Sequence, residues 1–385
     1  MMLSCPALRF SVLEFAWLPR IPASARTVPG PRSGGAPLPE APRRPVVRLS
    51  DVAKRAQCSA ATVSRVLNAP ETVNAEARQR VEAAVRDLGY TRNAAARALR
   101  SRRSQIIGVI LPTLKYSLYA DFVEGAQAAL ARRDHSLLIA SSDYSPEREL
   151  FQARLLAERG IDGLVLVGDE HLPGLVDLLD SQDLPYVSTY TSRGGVTHPL
   201  IGFDNAAAMA KLIDHLHGLG HRDIAVAAGP RAVNDRVEDR VAGATARLRS
   251  LGIALRAERI LEVPLSVAGG REAVCRLADA GPMPTALVCT SDVLAFGAQI
   301  ECRARAIPVP DALSVTGFDD LPPSAHMFPA LTTIVIPSEE MGRRAADHLL
   351  ARLAGQDPPR RVLLATRLVV RGTTAPPAGA GAAPR

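Results

Sequence analysis

Residues 49–68 read LSDVAKRAQCSAATVSRVLN, and this stretch sets the architecture of the first part of the chain. Leu49, Val52, Ala53 and Ala56 fall on one face of a short helix. Gln57-Cys58-Ser59 interrupts it, and Ser59 is placed to cap a second helix, whose inward face is Val63, Val66 and Leu67. A proline-containing loop from Ala69 to Asn74 leads into a third helix over 75–88. That helix turns Ala77, Val81, Ala84, Val85 and Leu88 inward and stops at Gly89. Two short helices across a tight turn, completed by a third, make a helix-turn-helix. In this motif the second helix enters the DNA major groove, N-terminal residues toward the base edges.

The charge distribution agrees. Residues 43–103 hold fourteen Arg/Lys against five Asp/Glu, whereas the chain after 103 holds 28 basic against 32 acidic residues. A patterned basic module on a mildly acidic body is the electrostatic footprint of a polyanion binder.

The first 46 residues are rich in Pro, Ala, Arg and Gly and read as a disordered or mis-annotated extension. Ala23-Ser24-Ala25 resembles a signal cleavage site, but Glu14, Pro19 and Pro22 spoil the apolar stretch before it. No run of about 18 apolar residues is present, so a soluble cytoplasmic protein is expected. Five cysteines without paired spacing fit a reducing compartment and packing roles. Residues 373–385 read as a disordered tail, with no leucine heptads for a tetramerising coil.

Between these ends, Ile106–Leu111, Ser136–Ala140, Gly163–Val167 and Tyr186–Ser188 are short apolar runs, each followed by a helical stretch. The pattern resumes at Ile224–Ala228, Ala286–Cys289 and Leu313–Thr316. Apolar strands alternating with helices imply parallel sheets covered on both faces. Two such series predict two lobes, with ligands bound at the carboxyl ends of the strands in the crevice between them. The expected fold class is therefore an all-α headpiece plus an α/β two-lobed core.

The strings LSDVAKRAQCSAATVSRVLN and GYTRNAAARALRSRRS resemble the headpiece and hinge of the LacI/GalR family of bacterial transcriptional regulators. The likeness continues through IGVILP, GIDGLVLVG, IGFDN, SDVLAFGA, LSVTGFDD and EEMGRRAADHLL to about Thr373. It implies a repressor of periplasmic-binding-protein-like core fold, binding a two-fold operator as a homodimer under the control of a small polar effector. The implied boundaries are 47–92 for the headpiece, 93–105 for the hinge and 106–372 for the core. The N-lobe would hold 106–203 and 338–365, the C-lobe 204–335 and 366–372.

By the same resemblance, Ala60, Ala61 and Arg65 align with base-reading positions. Arg65 can grip guanine O6 and N7 for about 1–3 kcal/mol of discrimination; a phosphate contact is the alternative. Thr62, Ser64, Asn68 and Asn74 suit phosphate contacts or helix caps. In the hinge, Leu99 on an alanine-rich face can wedge between base steps of the minor groove, flanked by Arg97 and Arg100.

In the crevice, Arg240 and Asp319 match effector-contacting positions, with an interlobe salt bridge as the other reading. Ser291 stands for a usual Asn, Leu265 for a frequent aromatic and Tyr190 for a frequent Asp. The loop carrying Thr113, Tyr116 and Tyr119 departs most from the family pattern. No catalytic, metal or cofactor site is expected. Gly218-Leu219-Gly220 precedes a strand and lacks a third glycine, and His215, His217 and His221 lack companions at metal-ligand spacing. An exported solute-binding protein or an α/β enzyme would share the core, but neither calls for a basic headpiece.

Overall fold

The computed structural model describes residues 47–91, 103–115, 117–193 and 198–378. Expectations for residues 1–46, for Tyr116 and for Arg97, Leu99 and Arg100 of the hinge lie outside these. The described residues form two compact units, one before and one after residue 92.

The smaller unit is three helices, α1 (Leu49–Arg55), α2 (Ala60–Asn68) and α3 (Ala75–Leu88). Val52, Ala53, Ala56, Val63, Val66, Val81 and Ala84 make its buried centre. The Ser59 hydroxyl accepts from the Thr62 amide, and the Asn74 side chain from the Ala77 amide. Each satisfies an orphan N–H at a helix start. Gly89 closes α3 in the left-handed region, at φ 60°, where a Cβ would be unfavourable.

The larger unit holds two parallel sheets. The first runs β11 (Arg361–Leu363), β5 (Leu200–Gly202), β4 (Tyr186–Thr189), β3 (Gly163–Val167), β1 (Ile106–Leu111), β2 (Ser136–Ser141). The second runs β7 (Ile260–Glu262), β6 (Ile224–Ala228), β8 (Ala286–Cys289), β9 (Ser314–Thr316). Between them, β10 (Thr333–Val335) pairs antiparallel with β12 (Arg367–Val369). The strand period of two divides each strand between opposite layers. Ile107, Val109, Val165 and Val167 join one apolar cluster with α4 (Ala120–Ala131) and α11 (Ser338–Leu353). Ile110, Leu164 and Leu166 join the opposite one, under α5 (Pro146–Glu158) and α6 (Pro173–Ser181). A Cβ on Gly125 would sit 2.1 Å from the Glu339 carbonyl oxygen, and one on Gly342 2.0 Å from that of Phe122. Glycine at both places lets α4 and α11 pack backbone to backbone. The second sheet is flanked by α7 (Asn205–Gly218) with α8 (Asp235–Ser250), and by α9 (Val267–Asp279) with α10 (Asp292–Ala304).

The C-terminal boundary needs correction. Thr373 is fully buried, its carbonyl accepts from the Val315 amide and its hydroxyl from the Thr332 amide. Ala375 exchanges hydrogen bonds with the Ser314 hydroxyl. Thr373–Ala375 thus cover the free edge of β9, whose backbone groups need partners, and belong to the core.

Candidate ligand crevice and nucleic-acid interface

The helix α2 presents Ala60, Ala61, Arg65 and Asn68 exposed, with Thr62 and Ser64 half-buried. Three arginines of this unit are paired within it, Arg55 with Asp87, Arg78 with Glu82 and Arg80 with Glu76. Among the described residues, the Arg65 guanidinium has no ion-pair or hydrogen-bond partner, so its donors are open to an external acceptor. Other side chains on the expected contact face are engaged locally. The Asn68 amide donates to the Ser64 carbonyl oxygen, and the Thr62 hydroxyl meets that of Ser59. Asn74 is a helix cap, as above.

In the larger unit, Arg240 rises from the second turn of α8 and Asp319 follows β9. Both belong to the second lobe, so their pair is not an interlobe bridge. The Arg240 guanidinium stacks on the Phe318 ring, 3.8 Å to its centroid, and donates to the Thr290 carbonyl and the Asn205 side chain. Its Nη1 lies 3.5 Å from Asp319 Oδ1. Ser291 donates to Asp319 Oδ2, but Oδ1 is buried with no hydrogen-bond partner. Burial pushes the Asp319 carboxyl up to about 7, against the pull of Arg240. Burial also pulls the Arg240 guanidinium down, but that group does not give up its proton in proteins, so the carboxyl carries the shift.

These groups line a narrow crevice at the carboxyl ends of the strands, together with Tyr119, Tyr190, Leu265 and Ser291. A larger concavity lies among Tyr186, His348, Arg352 and Arg360. It sits at the amino ends of β4 and β11, the wrong end for a ligand in such sheets. Tyr190 packs edge-on against Tyr119 and Phe203 and donates to Ser338; burial raises both tyrosine hydroxyls well above their usual range. Three lining residues hold positive φ: Tyr144 at 59°, Tyr190 at 62° and Asp319 at 117°. Non-glycine residues take such conformations at a cost, and they cluster where ligands are clamped.

Sequence reading missed Arg236, Asn234 and Tyr144, all on the crevice wall. Arg236 was findable: it precedes Arg240 by four on one helix, hence on the same face. Tyr144 carried no periodic signal, since it lies in a loop. Thr113 is buried outside this wall, its hydroxyl accepting from the Lys115 amide. Asp292, beside Ser291, is wholly engaged by Thr333, Ser324 and the Leu321 amide; it fixes the loop after β9.

The lobes are tied by α8. Asp235 Oδ2 accepts from the Asp169 amide, and Arg236 Nη1, paired to Asp235, donates to the Val167 carbonyl. Gly168 (φ 94°) lies under this pair, where a Cβ would stand 2.2 Å from Arg236 Nη1. Arg193 of the first lobe adds a pair with Asp239 at 2.6 Å.

Two of the three clustered histidines are used by the C-terminal segment: His215 meets Thr374, and His221 meets Thr285 and the Ala375 carbonyl. Among the described residues no group of His, Cys, Asp and Glu has the arrangement of a metal site, and no helix is long and apolar enough to cross a membrane.

A helix-turn-helix unit followed by a two-lobed α/β core defines a DNA-binding regulator with a periplasmic-binding-like core. The comparisons place it. Residues 48–93 match the model for bacterial regulatory proteins of the lacI family, and residues 213–374 that for a periplasmic binding protein-like domain. The HTH-type transcriptional regulator MalR of Streptomyces coelicolor is 34% identical over 337 residues, covering 85% of this chain and 96% of MalR. The repressor CytR of Escherichia coli is 31% identical over 328 residues, with 85% and 96% covered. The lac repressor dimer bound to operator and the anti-inducer ONPF superposes at TM-score 0.78 and 28% identity, covering 86% of this chain and 99% of that one. A CelR–cellobiose complex superposes at 0.64 and 28% identity, covering 85% and 99%. The chain belongs to the lacI family of bacterial regulatory proteins. It is a transcriptional regulator of that type, and its relatives are regulators rather than enzymes.

Proposed function

We propose that this protein is a homodimeric, cytoplasmic and nucleoid-associated repressor whose affinity for a pseudo-palindromic operator is set by a small polar metabolite, a sugar, sugar acid or similar molecule. The observation that carries the effector role is Asp319 Oδ1, a buried acceptor without a hydrogen bond at the floor of the crevice. Such an atom costs free energy until a ligand hydroxyl or N–H reaches it. Arg240 and Ser291 flank it, and Tyr119, Tyr190 and Leu265 supply apolar walls.

On DNA, Arg65 reads a base edge while Ala60 and Ala61 offer methyl contacts. Thr62, Ser64 and Asn68 position phosphates, with Asn74 holding α3 behind them. Arg97, Leu99 and Arg100 engage the minor groove at the operator centre. Two copies meet along exposed apolar residues of the second lobe: Val267, Ile300 and Phe328 are each at least 40% exposed, and Phe328 borders a concavity with Ile307 and Val309. A ligand that binds the two lobe arrangements unequally then shifts DNA affinity.

The test is operator selection from random DNA with the full-length protein, then affinity for the selected site with and without metabolites that stabilise it. A selected site lacking two-fold symmetry, or an affinity that no bound metabolite alters, would overturn the proposal.

A further inference from the structure

Resting on the reading of a dimer on a two-fold operator, we propose that Asp162 is a positioning residue for DNA binding. It fixes the direction in which the chain leaves the core for the helix-turn-helix unit. Half-site spacing is then set at this carboxylate, outside both the DNA-facing helix α2 and the ligand crevice.

The described core begins at Arg103, and its first strand, β1, at Ile106. Asp162 stands in the turn between α5 and β3 and holds three consecutive residues of this entry segment. Its carboxylate accepts from the Ser104 amide at 2.9 Å and from the Gln105 amide at 2.7 Å. Its own amide donates to the Ile106 carbonyl at 2.8 Å. Neighbouring groups complete the anchorage: the Ser104 hydroxyl accepts from the Ile106 amide, and the Gln105 carbonyl from the Ser136 amide of β2. A carboxylate that takes two adjacent backbone amides grips them more firmly than neutral acceptors would.

The anchorage holds a strained backbone. Gln105 has φ 59°, in the left-handed region that a non-glycine residue keeps only when its surroundings enforce it. Its side chain brings no compensation, since Oε1 is buried without a hydrogen bond. The bonds to its backbone from Asp162 and Ser136 therefore impose the conformation. Gln105 turns the chain immediately before β1, so a change in its dihedral angles swings everything N-terminal to it.

Strand β3 connects this clamp to the tie between lobes. Its five residues are all buried, and it lies inside the sheet between β1 and β4. At its carboxyl end the Val167 carbonyl and the Asp169 amide are held by Arg236 and Asp235 of the other lobe. At its amino end stands Asp162. Such a strand spans about 16 Å and, paired on both sides within a close-packed layer, moves as one piece. A lobe shift that displaces the Val167 end is thus delivered to the carboxylate that holds Ser104 and Gln105.

The experiment uses the full-length protein and the operator it selects from random DNA. Affinity is measured for that operator, for versions with one central base pair inserted or deleted, and for a single half-site. One base pair moves a half-site by about 3.4 Å and turns it by about a tenth of a helical turn. Wild type should prefer its selected spacing by at least about tenfold, and Asp162→Ala should bring the three spacings within about threefold. Half-site affinity should stay unchanged in the variant, while hydrogen exchange at the Ser104 and Gln105 amides speeds up. Asp162→Asn keeps one accepting oxygen but sets an NH₂ group against the second amide, so it should fall between the two. Asp235→Ala, which releases the far end of β3, should alter spacing preference in the wild-type background and add nothing beside Asp162→Ala. Spacing preference retained in Asp162→Ala despite faster exchange overturns the positioning role. Loss of half-site affinity equal to the loss on the full operator, in both variants, reduces Asp162 to a structural part and overturns it too. Equal effects of Asp235→Ala in the two backgrounds overturn the link through β3. A wild-type protein with no spacing preference would instead overturn the two-fold operator reading, and this proposal with it.

Discussion

Arg240 and Asp319 stand 3.5 Å apart in a buried crevice, yet the Asp319 oxygen nearest the guanidinium accepts no hydrogen bond. The arginine is spent elsewhere, on the Thr290 carbonyl, the Asn205 amide group and the face of Phe318. The carboxyl is therefore attracted but not satisfied, which is the condition of a group awaiting a ligand.

A pH dependence follows for the unliganded protein. Folded Asp319 titrates near 7, whereas an unfolded aspartate titrates near 3.9. Between those values the folded state holds a proton that the unfolded state has released. Stability from this group is therefore full below about pH 4 and lost as pH rises to about 7. Asp319→Asn should remove that loss, so its thermal midpoint relative to wild type should rise from pH 4 to pH 7, by the equivalent of roughly 1–3 kcal/mol. Parallel curves for the two proteins would show that the carboxyl is ionised throughout.

By sequence Asn74 was a candidate phosphate contact or helix cap, and its side chain caps α3. Asn74→Ala should destabilise the headpiece by about 1 kcal/mol. Asn74→Ser keeps a capping oxygen on a shorter side chain and should restore both stability and operator affinity. Persistent loss of affinity in the serine variant, with stability restored, would return Asn74 to the phosphates.

How far the sequence could be read depends on what each residue answers to. Helices α1 to α3 were legible because their caps and apolar spacings are local. The longer strands, Ile106–Leu111, Gly163–Val167 and Ile224–Ala228, were legible because burial on both faces demands unbroken apolar runs. Five of the six three-residue strands, β5, β7, β10, β11 and β12, were not, because so short a run carries no period, whereas β9 was read from the run Leu313–Thr316. Arg240 and Asp319 came through the family likeness rather than through spacing. That they share one lobe is a matter of topology, set by which sheet β9 joins. Tyr144 and Thr373 are tertiary facts: one is a loop residue turned to a wall, the other a residue of a polar tail recruited to a sheet edge.

Among the described residues Arg65 has no ion-pair partner on its exposed helix face, whereas Arg55, Arg78 and Arg80 of the same unit each have one. Arg65→Ala should relax preference at one position of each half-site and cost about 1–3 kcal/mol on the best operator. Selection of binding sites by the variant reads this directly. A uniform fall in affinity across all sequences, with base preference intact, would assign the residue to phosphate.

Phe328 is 90% exposed beside Ile307 and Val309, and an aromatic ring in that state is stabilised by a partner. Phe328→Asp should shift the protein toward monomer in sedimentation at micromolar concentration. Its operator affinity should fall at least tenfold, because half-sites are then bound singly. A dimer unchanged in the variant would place the interface elsewhere.

The tie between lobes is unequal along its length, and this gives a way to open it. Asp235 and Arg236 are buried, and they hold the end of β3 through the Asp169 amide and the Val167 carbonyl. Arg193 and Asp239 span the same gap nearer solvent, where an ion pair contributes about 0–1 kcal/mol. Asp235→Ala strips a buried arginine of its partner, which costs about 3–5 kcal/mol if the groups stay buried. Lobe opening relieves that cost by returning Arg236 to water. The expected result is a larger radius of gyration in solution scattering and faster hydrogen exchange at the Asp169 amide. Asp239→Ala should leave both measurements near wild type. Protection at Asp169 that survives Asp235→Ala would mean that the lobes are held by their apolar seam, Phe203 against Phe318, and not by the α8 pair.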